Sequence, residues 1–122
     1  MATVLIVEDN PANMTLSVFL LEQAGHVVLT ATDAETGLGL ARDRQPDLIL
    51  MDIQLPGMDG LEATLILKAG EATRAIPVIA LTALAMKGDE ERIRAAGCDG
   101  YVAKPIRYRD FLATVTAQLN RA

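Results

Sequence analysis

The chain has 122 residues, 51% of them hydrophobic, which suits one domain with a sizeable core and argues against a disordered chain. Its 16 acidic and 11 basic side chains leave a formal charge of -5, which disfavours a broad nucleic-acid surface but leaves room for a small phosphate site. The one cysteine, Cys98, excludes an internal disulfide and a zinc site of several thiolates, and the one histidine, His26, has no matched partners for a Ser-His-Asp set.

The first apolar run, TVLIV (3–7), reads as a strand that ends in Glu8-Asp9. PANMTLSVFLLEQAG follows with Met14, Val18 and Leu21 on one helical stripe, and Gly25 stops it. HVVLTA (26–31) is the second strand. In TDAETGLGLARDRQP, Thr32 or Asp33 caps a helix that Gly37 and Gly39 weaken, and Pro46 closes the unit. DLILM (47–51) is the third strand, running into Asp52 and a loop with Pro56, Gly57 and Gly60. The helix GLEATLILKAG leads to a fourth strand, PVIALT (77–82), which ends on Thr82. KGDEERIRAAG reads as a helix with a solvated face, where Glu90 and Arg94 are spaced for an ion pair. GYVAK (100–104) is the fifth strand and ends in Lys104-Pro105. The last helix, RYRDFLATVTAQLN, carries Phe111, Leu112, Val115 and Leu119 on one stripe.

The five strand runs are nearly continuous in apolar residues, the pattern of a parallel sheet covered on both faces. Five strands alternating with five helices imply right-handed βαβ units in an α/β, doubly wound (βα)5 fold. The common strand order for such a sheet is 2-1-3-4-5, the flavodoxin-like arrangement. Residues 1–122 read as one domain with no output domain. The opening MATVLIVEDN lacks the basic start of a signal peptide, and no apolar run reaches the length of a membrane span. The expectation is a soluble, cytoplasmic protein.

Why does the apolar third strand end on a carboxylate? A buried charge is costly unless it is paired or holds a metal. Open α/β sheets bind ligands beyond the carboxyl ends of their strands, and the expected order makes strands one, three, four and five neighbours. Glu8, Asp9, Asp52, Thr82 and Lys104 then converge. Three carboxylates so close repel one another, and a hard divalent cation removes the conflict. Mg²⁺ takes one or two carboxylates plus waters and phosphate oxygens, and the backbone carbonyl of Gln54 is a further expected ligand. A carboxylate can be a nucleophile toward phosphorus, so the parts for an aspartyl phosphate are present, with Thr82 expected to donate a hydrogen bond and Lys104 to pair with a phosphoryl oxygen. No GxxxxGK[ST] loop is present, so the phosphoryl group must arrive from outside.

VLIVEDN, LILMDIQLPGMDG, VIALTA and YVAKP together resemble the motifs of the response-regulator receiver domain, as in CheY, in order and spacing. The resemblance implies that Asp52 accepts a phosphoryl group from a histidine kinase or histidine phosphotransfer protein. It implies Mg²⁺ held by Glu8, Asp9, Asp52 and the Gln54 carbonyl, phosphoryl oxygens bound by Thr82 and Lys104, and a cis Lys104-Pro105 bond. It also implies a switch through Thr82, Tyr101 and Pro105, read out by a downstream protein on the face of helix four, strand five and helix five. Ile93, Tyr101, Arg107 and Tyr108 are expected on that face. Gln54 and Leu84 stand where the family tunes the lifetime of the phosphoryl group, and small Ala83 leaves room for its entry. VEDNPANM and ALTALAMKGDEERIRAAGCDGYVAKPI further resemble the single-domain DivK group of receivers, which act through protein partners in cell division and polarity. The expected molecule is a phosphoacceptor rather than an enzyme, a monomer or weak dimer that binds neither nucleic acid nor membrane.

Three other readings are weaker. A haloacid-dehalogenase-type enzyme needs a second acid where Gln54 stands. A degenerate receiver would lack the acidic pair, the nucleophile or the lysine. A flavin binder would need a phosphate loop where the acidic EDNPAN lies.

Overall fold

A computed structural model describes residues 2–83 and 87–120, the side chains of 87 and 88 excepted. The elements alternate as β1 (Thr3–Val7), α1 (Pro11–Gln23), β2 (Val27–Ala31), α2 (Ala34–Arg44), β3 (Leu48–Asp52), α3 (Gly60–Ala69), β4 (Val78–Thr82), α4 (Lys87–Ala95), β5 (Gly100–Ala103) and α5 (Tyr108–Leu119). The five strands form one parallel sheet in the order β2-β1-β3-β4-β5. The expected flavodoxin-like α/β architecture is therefore present.

Successive side chains on a strand point to opposite faces, so a strand covered on both sides sends alternate residues into two cores. Leu5, Val7, Ile49, Met51, Val78 and Ala80 pack with Leu38 of α2, Leu67 of α3 and Ile93 of α4. Val4, Ile6, Leu48, Leu50, Ile79 and Leu81 pack with Leu21 of α1 and with Phe111 and Val115 of α5. The outer strands depart from the expected two-sided burial. In β2 only Ala31 is fully buried, and in β5 only Val102. Each has one neighbour in the sheet, and the flanking helices cover the edges incompletely.

Local signals set the helix ends. Asn10, Asp33 and Asp59 accept from the backbone N–H three residues on, at 3.0, 2.7 and 2.9 Å, and so cap α1, α2 and α3. Gly37 has a tertiary role that its low helix propensity hides. A Cβ there would lie 2.6 Å from Val7 Cγ2, so its absence lets α2 approach β1. The Lys104-Pro105 peptide bond is cis, as the resemblance implied. No helix among the described residues is long and apolar enough to cross a membrane.

Candidate functional site

The sheet register assembles the site. Val7 pairs with Met51, so Glu8 follows β1 beside Asp52, the last residue of β3. Asp52 pairs with Leu81, which puts Thr82 one residue beyond it on β4. Thr82 pairs with Ala103, and the Lys104 N–H donates to the Thr82 carbonyl at 2.7 Å. Four strand ends thus deliver Glu8, Asp52, Thr82 and Lys104 to one edge. Glu8, Asp52 and Thr82 are buried, while Asp9 faces solvent.

One ammonium compensates both buried acids. Lys104 Nζ lies 2.9 Å from Asp52 Oδ2, 3.1 Å from Glu8 Oε1 and 3.2 Å from Glu8 Oε2. The other Asp52 oxygen, Oδ1, accepts the Gln54 N–H at 2.9 Å. This Gln54 N–H contact was not foreseen; the sequence pointed only to the carbonyl of Gln54. Asn13 was also missed. Its side-chain Nδ2 donates to Glu8 Oε1 at 3.2 Å. The signal for it is the asparagine three residues earlier, since Asn10 caps α1 and fixes the Asn13 backbone.

The electrostatics show an incompletely balanced site. Burial pushes the Glu8 carboxyl above its usual range. A hydrogen bond with Asp52 and the Asp52 charge push it further, and Lys104 only partly opposes them. For Lys104, burial pulls the ammonium down, but its hydrogen bond to Asp52 and the charges of Asp52 and Glu8 outweigh that and raise it. The two directions are compatible, because one cation gains from two acids while each acid shares one cation. Glu8, Asp9 and Asp52 each place a carboxylate oxygen so that all three lie within 4.8 Å of one another. This set of hard oxygen donors, short of positive charge, fits Mg²⁺.

The α3 backbone crowds the same edge. A Cβ on Gly60 would collide with the Asp52 carbonyl oxygen and lie 2.7 Å from Ile53 Cα. The sequence placed Gly60 in the loop after Asp52 and at the start of a helix; in the fold it also seats α3 against the end of β3.

The remaining expected residues are spread along one flank. Tyr101, Arg107 and Tyr108 are exposed, and Tyr101, Lys104, Pro105, Arg107, Asp110 and Thr114 line a groove of about 290 Å³. Ile93 does not join that surface. It is 1% exposed, because it is the sole aliphatic residue longer than alanine on a polar helix and its side chain anchors α4 to the core. Ala83 is exposed just past β4, and Leu84 lies outside the described residues. Cys98 is buried, as expected of a small hydrophobe, and burial raises its thiol. A larger cavity of about 830 Å³, lined by His26, Asp47, Lys68, Arg74 and Asp99 among others, opens at the amino end of the sheet, away from the carboxylates.

Residues 4–116 match the family model of the response regulator receiver domain. The chain is 52% identical over 120 residues to the polar-differentiation response regulator DivK of Brucella ovis, covering 98% of each. Among solved structures it is similar to the receiver domain of the sensor histidine kinase PA1611 of Pseudomonas aeruginosa, which has a magnesium ion coordinated in its active-site cleft. The TM-score is 0.91 at 36% identity, with 98% of each chain covered. It is also similar to the chemotaxis response regulator CheY4 of Vibrio cholerae, with a TM-score of 0.92 at 27% identity over 97% of this chain and 98% of that one. The chain belongs to the response-regulator receiver family, phosphoacceptor signalling domains that work with a histidine kinase in a phosphorelay.

Proposed function

We propose that Asp52 is the phosphoacceptor and that Thr82 and Lys104 bind the oxygens of the incoming phosphoryl group. The observation that carries this reading is Lys104 Nζ bridging Asp52 and Glu8 at 2.9–3.2 Å, with Asp9 completing a three-carboxylate cluster. Asp52 attacks phosphorus through a carboxylate oxygen. The new P–O bond forms as the P–N bond to the donor imidazole breaks, and the imidazole nitrogen keeps the electron pair. Lys104 turns from Asp52 Oδ2 to a phosphoryl oxygen, and the Thr82 hydroxyl donates to another. Glu8, Asp9, Asp52 and the Gln54 carbonyl would hold Mg²⁺. Bound there, the ion supplies positive charge against the phosphoryl oxygens.

The donor is a histidine kinase or a histidine phosphotransfer protein. The phosphorylated state is read through α4, β5 and α5, where Tyr101, Arg107 and Tyr108 are exposed. Thr82, Tyr101 and Pro105 link that face to the site, and a downstream protein selects the phosphorylated population. The likeness to DivK supports a role in cell-cycle or polarity control.

The test is intact-mass measurement after incubation with acetyl phosphate and Mg²⁺, beside Asp52→Asn. One phosphoryl group on the parent, dependent on Mg²⁺ and absent from the variant, is the expected result. No adduct, together with no Asp52-dependent response to beryllofluoride, would overturn the assignment.

A further inference from the structure

Glu8 is held by two donors of different kinds. Lys104 is a flexible cation that reaches both Glu8 oxygens and Asp52. Asn13 is a short neutral amide on the first turn of α1, with Nδ2 3.2 Å from Glu8 Oε1. Its backbone is fixed from below, because the Asn10 side chain accepts the Asn13 N–H at 3.0 Å and Pro11 opens the helix. A carboxylate oxygen has two lone pairs, so Oε1 accepts from Lys104 and Asn13 together.

The two contacts part company in the proposed reaction. When Lys104 turns to the phosphoryl group, it takes its hydrogen bonds away from a carboxylate with no solvent exposure. The helix-borne amide does not have to move. It also carries no charge, so it orients Glu8 without repelling a divalent cation, as lysine or arginine at this position would.

Resting on the function proposed above, we infer that Asn13 is a positioning residue for the cation. Its amide holds the Glu8 carboxylate in the cation-binding orientation and retains it there while Lys104 engages the phosphoryl group. Groups that hydrogen-bond a metal's own ligands commonly contribute about 10-fold or more to its affinity.

The experiment is calorimetric titration of Mg²⁺ into the parent, Asn13→Leu and Asn13→Ala, with thermal unfolding in EDTA to establish that each variant folds. Leucine keeps the γ-branched shape of asparagine at a larger volume and is a better helix former, so it removes the donor without opening a cavity, and alanine removes it without adding bulk. Both variants are expected to bind Mg²⁺ about 10-fold more weakly. Their rate of phosphorylation by acetyl phosphate should return to the parent value at saturating Mg²⁺. Parent-like affinity in Asn13→Leu would overturn the role, whether or not Asn13→Ala is impaired, because only packing would then be at stake. An unchanged affinity with a lower maximal rate would also overturn it. A parent that binds no Mg²⁺ would sink the underlying function as well, which separates the two failures.

Discussion

Lys104→Met keeps most of the side-chain volume and removes the charge that Asp52 and Glu8 share. The Lys104 side chain is 15% exposed, against 3% for Asp52 and none for Glu8. The contact to Asp52, at 2.9 Å, has the length of a charge-assisted hydrogen bond, and the two to Glu8, at 3.1 and 3.2 Å, are within ordinary hydrogen-bond range. Breaking a buried ion pair from one side typically costs about 3–5 kcal/mol, since the abandoned charge stays buried. The residual exposure of Lys104 and the Gln54 and Asn13 donors that remain on the two acids put the expected loss at the low end, about 3 kcal/mol. For a domain of this size that is a fall of roughly 10 °C in Tm. The assay is urea and thermal unfolding in EDTA across pH. Lys104 is raised in the fold, so its contribution is fully present below the ordinary lysine value of 10.5 and is lost as pH rises through the folded one. The difference between parent and variant should therefore be largest from neutral to mildly alkaline pH. It should shrink in acid, where the raised Glu8 carboxyl takes up a proton and relieves the variant, and added Mg²⁺ should restore part of the loss. A variant as stable as the parent at pH 8 in EDTA would refute the reasoning.

Glu8→Gln should act in the opposite sense on the metal-free protein. The Glu8 carboxyl is raised, so its contribution is fully present below its ordinary 4.5 and is lost as pH rises through the folded value. The variant should flatten that decline in a pH series of Tm in EDTA, while calorimetry shows weakened Mg²⁺ binding. Gly60→Ala should cost about 1–3 kcal/mol by overpacking against the Asp52 carbonyl, measurable by urea unfolding. It should also slow phosphorylation, because the strain falls on the nucleophile's own backbone; an unaltered rate would argue against that. Asp59→Ala removes the cap that accepts from the Glu62 N–H at 2.9 Å and should cost about 1 kcal/mol in the same unfolding assay. Its maximal phosphorylation rate should stay near that of the parent, in contrast to Gly60→Ala.

The sequence by itself determined the alternation of elements, because near-continuous apolar runs and helical stripes are local patterns. It also offered Asp33 as a cap of α2; the caps Asn10 and Asp59 went unread, although each bonds a backbone group only three residues away. The polar residues at the strand ends were legible as a set, although their meeting depended on an assumed strand order. Only the tertiary structure decided that Lys104 closes on Glu8 across 96 residues, because that distance is set by the register of four strands together. It decided which apolar runs lie at the sheet edges, and it turned Ile93 inward although the sequence pointed to the surface. Gly37 and Gly60 look like weak helix formers in one dimension, and their use appears only when Val7 and the Asp52 carbonyl come against them. Asn13 belongs to the same class. Its spacing from Asn10 is local, but its role depends on Glu8 being buried beside it, and burial is a property of the whole chain.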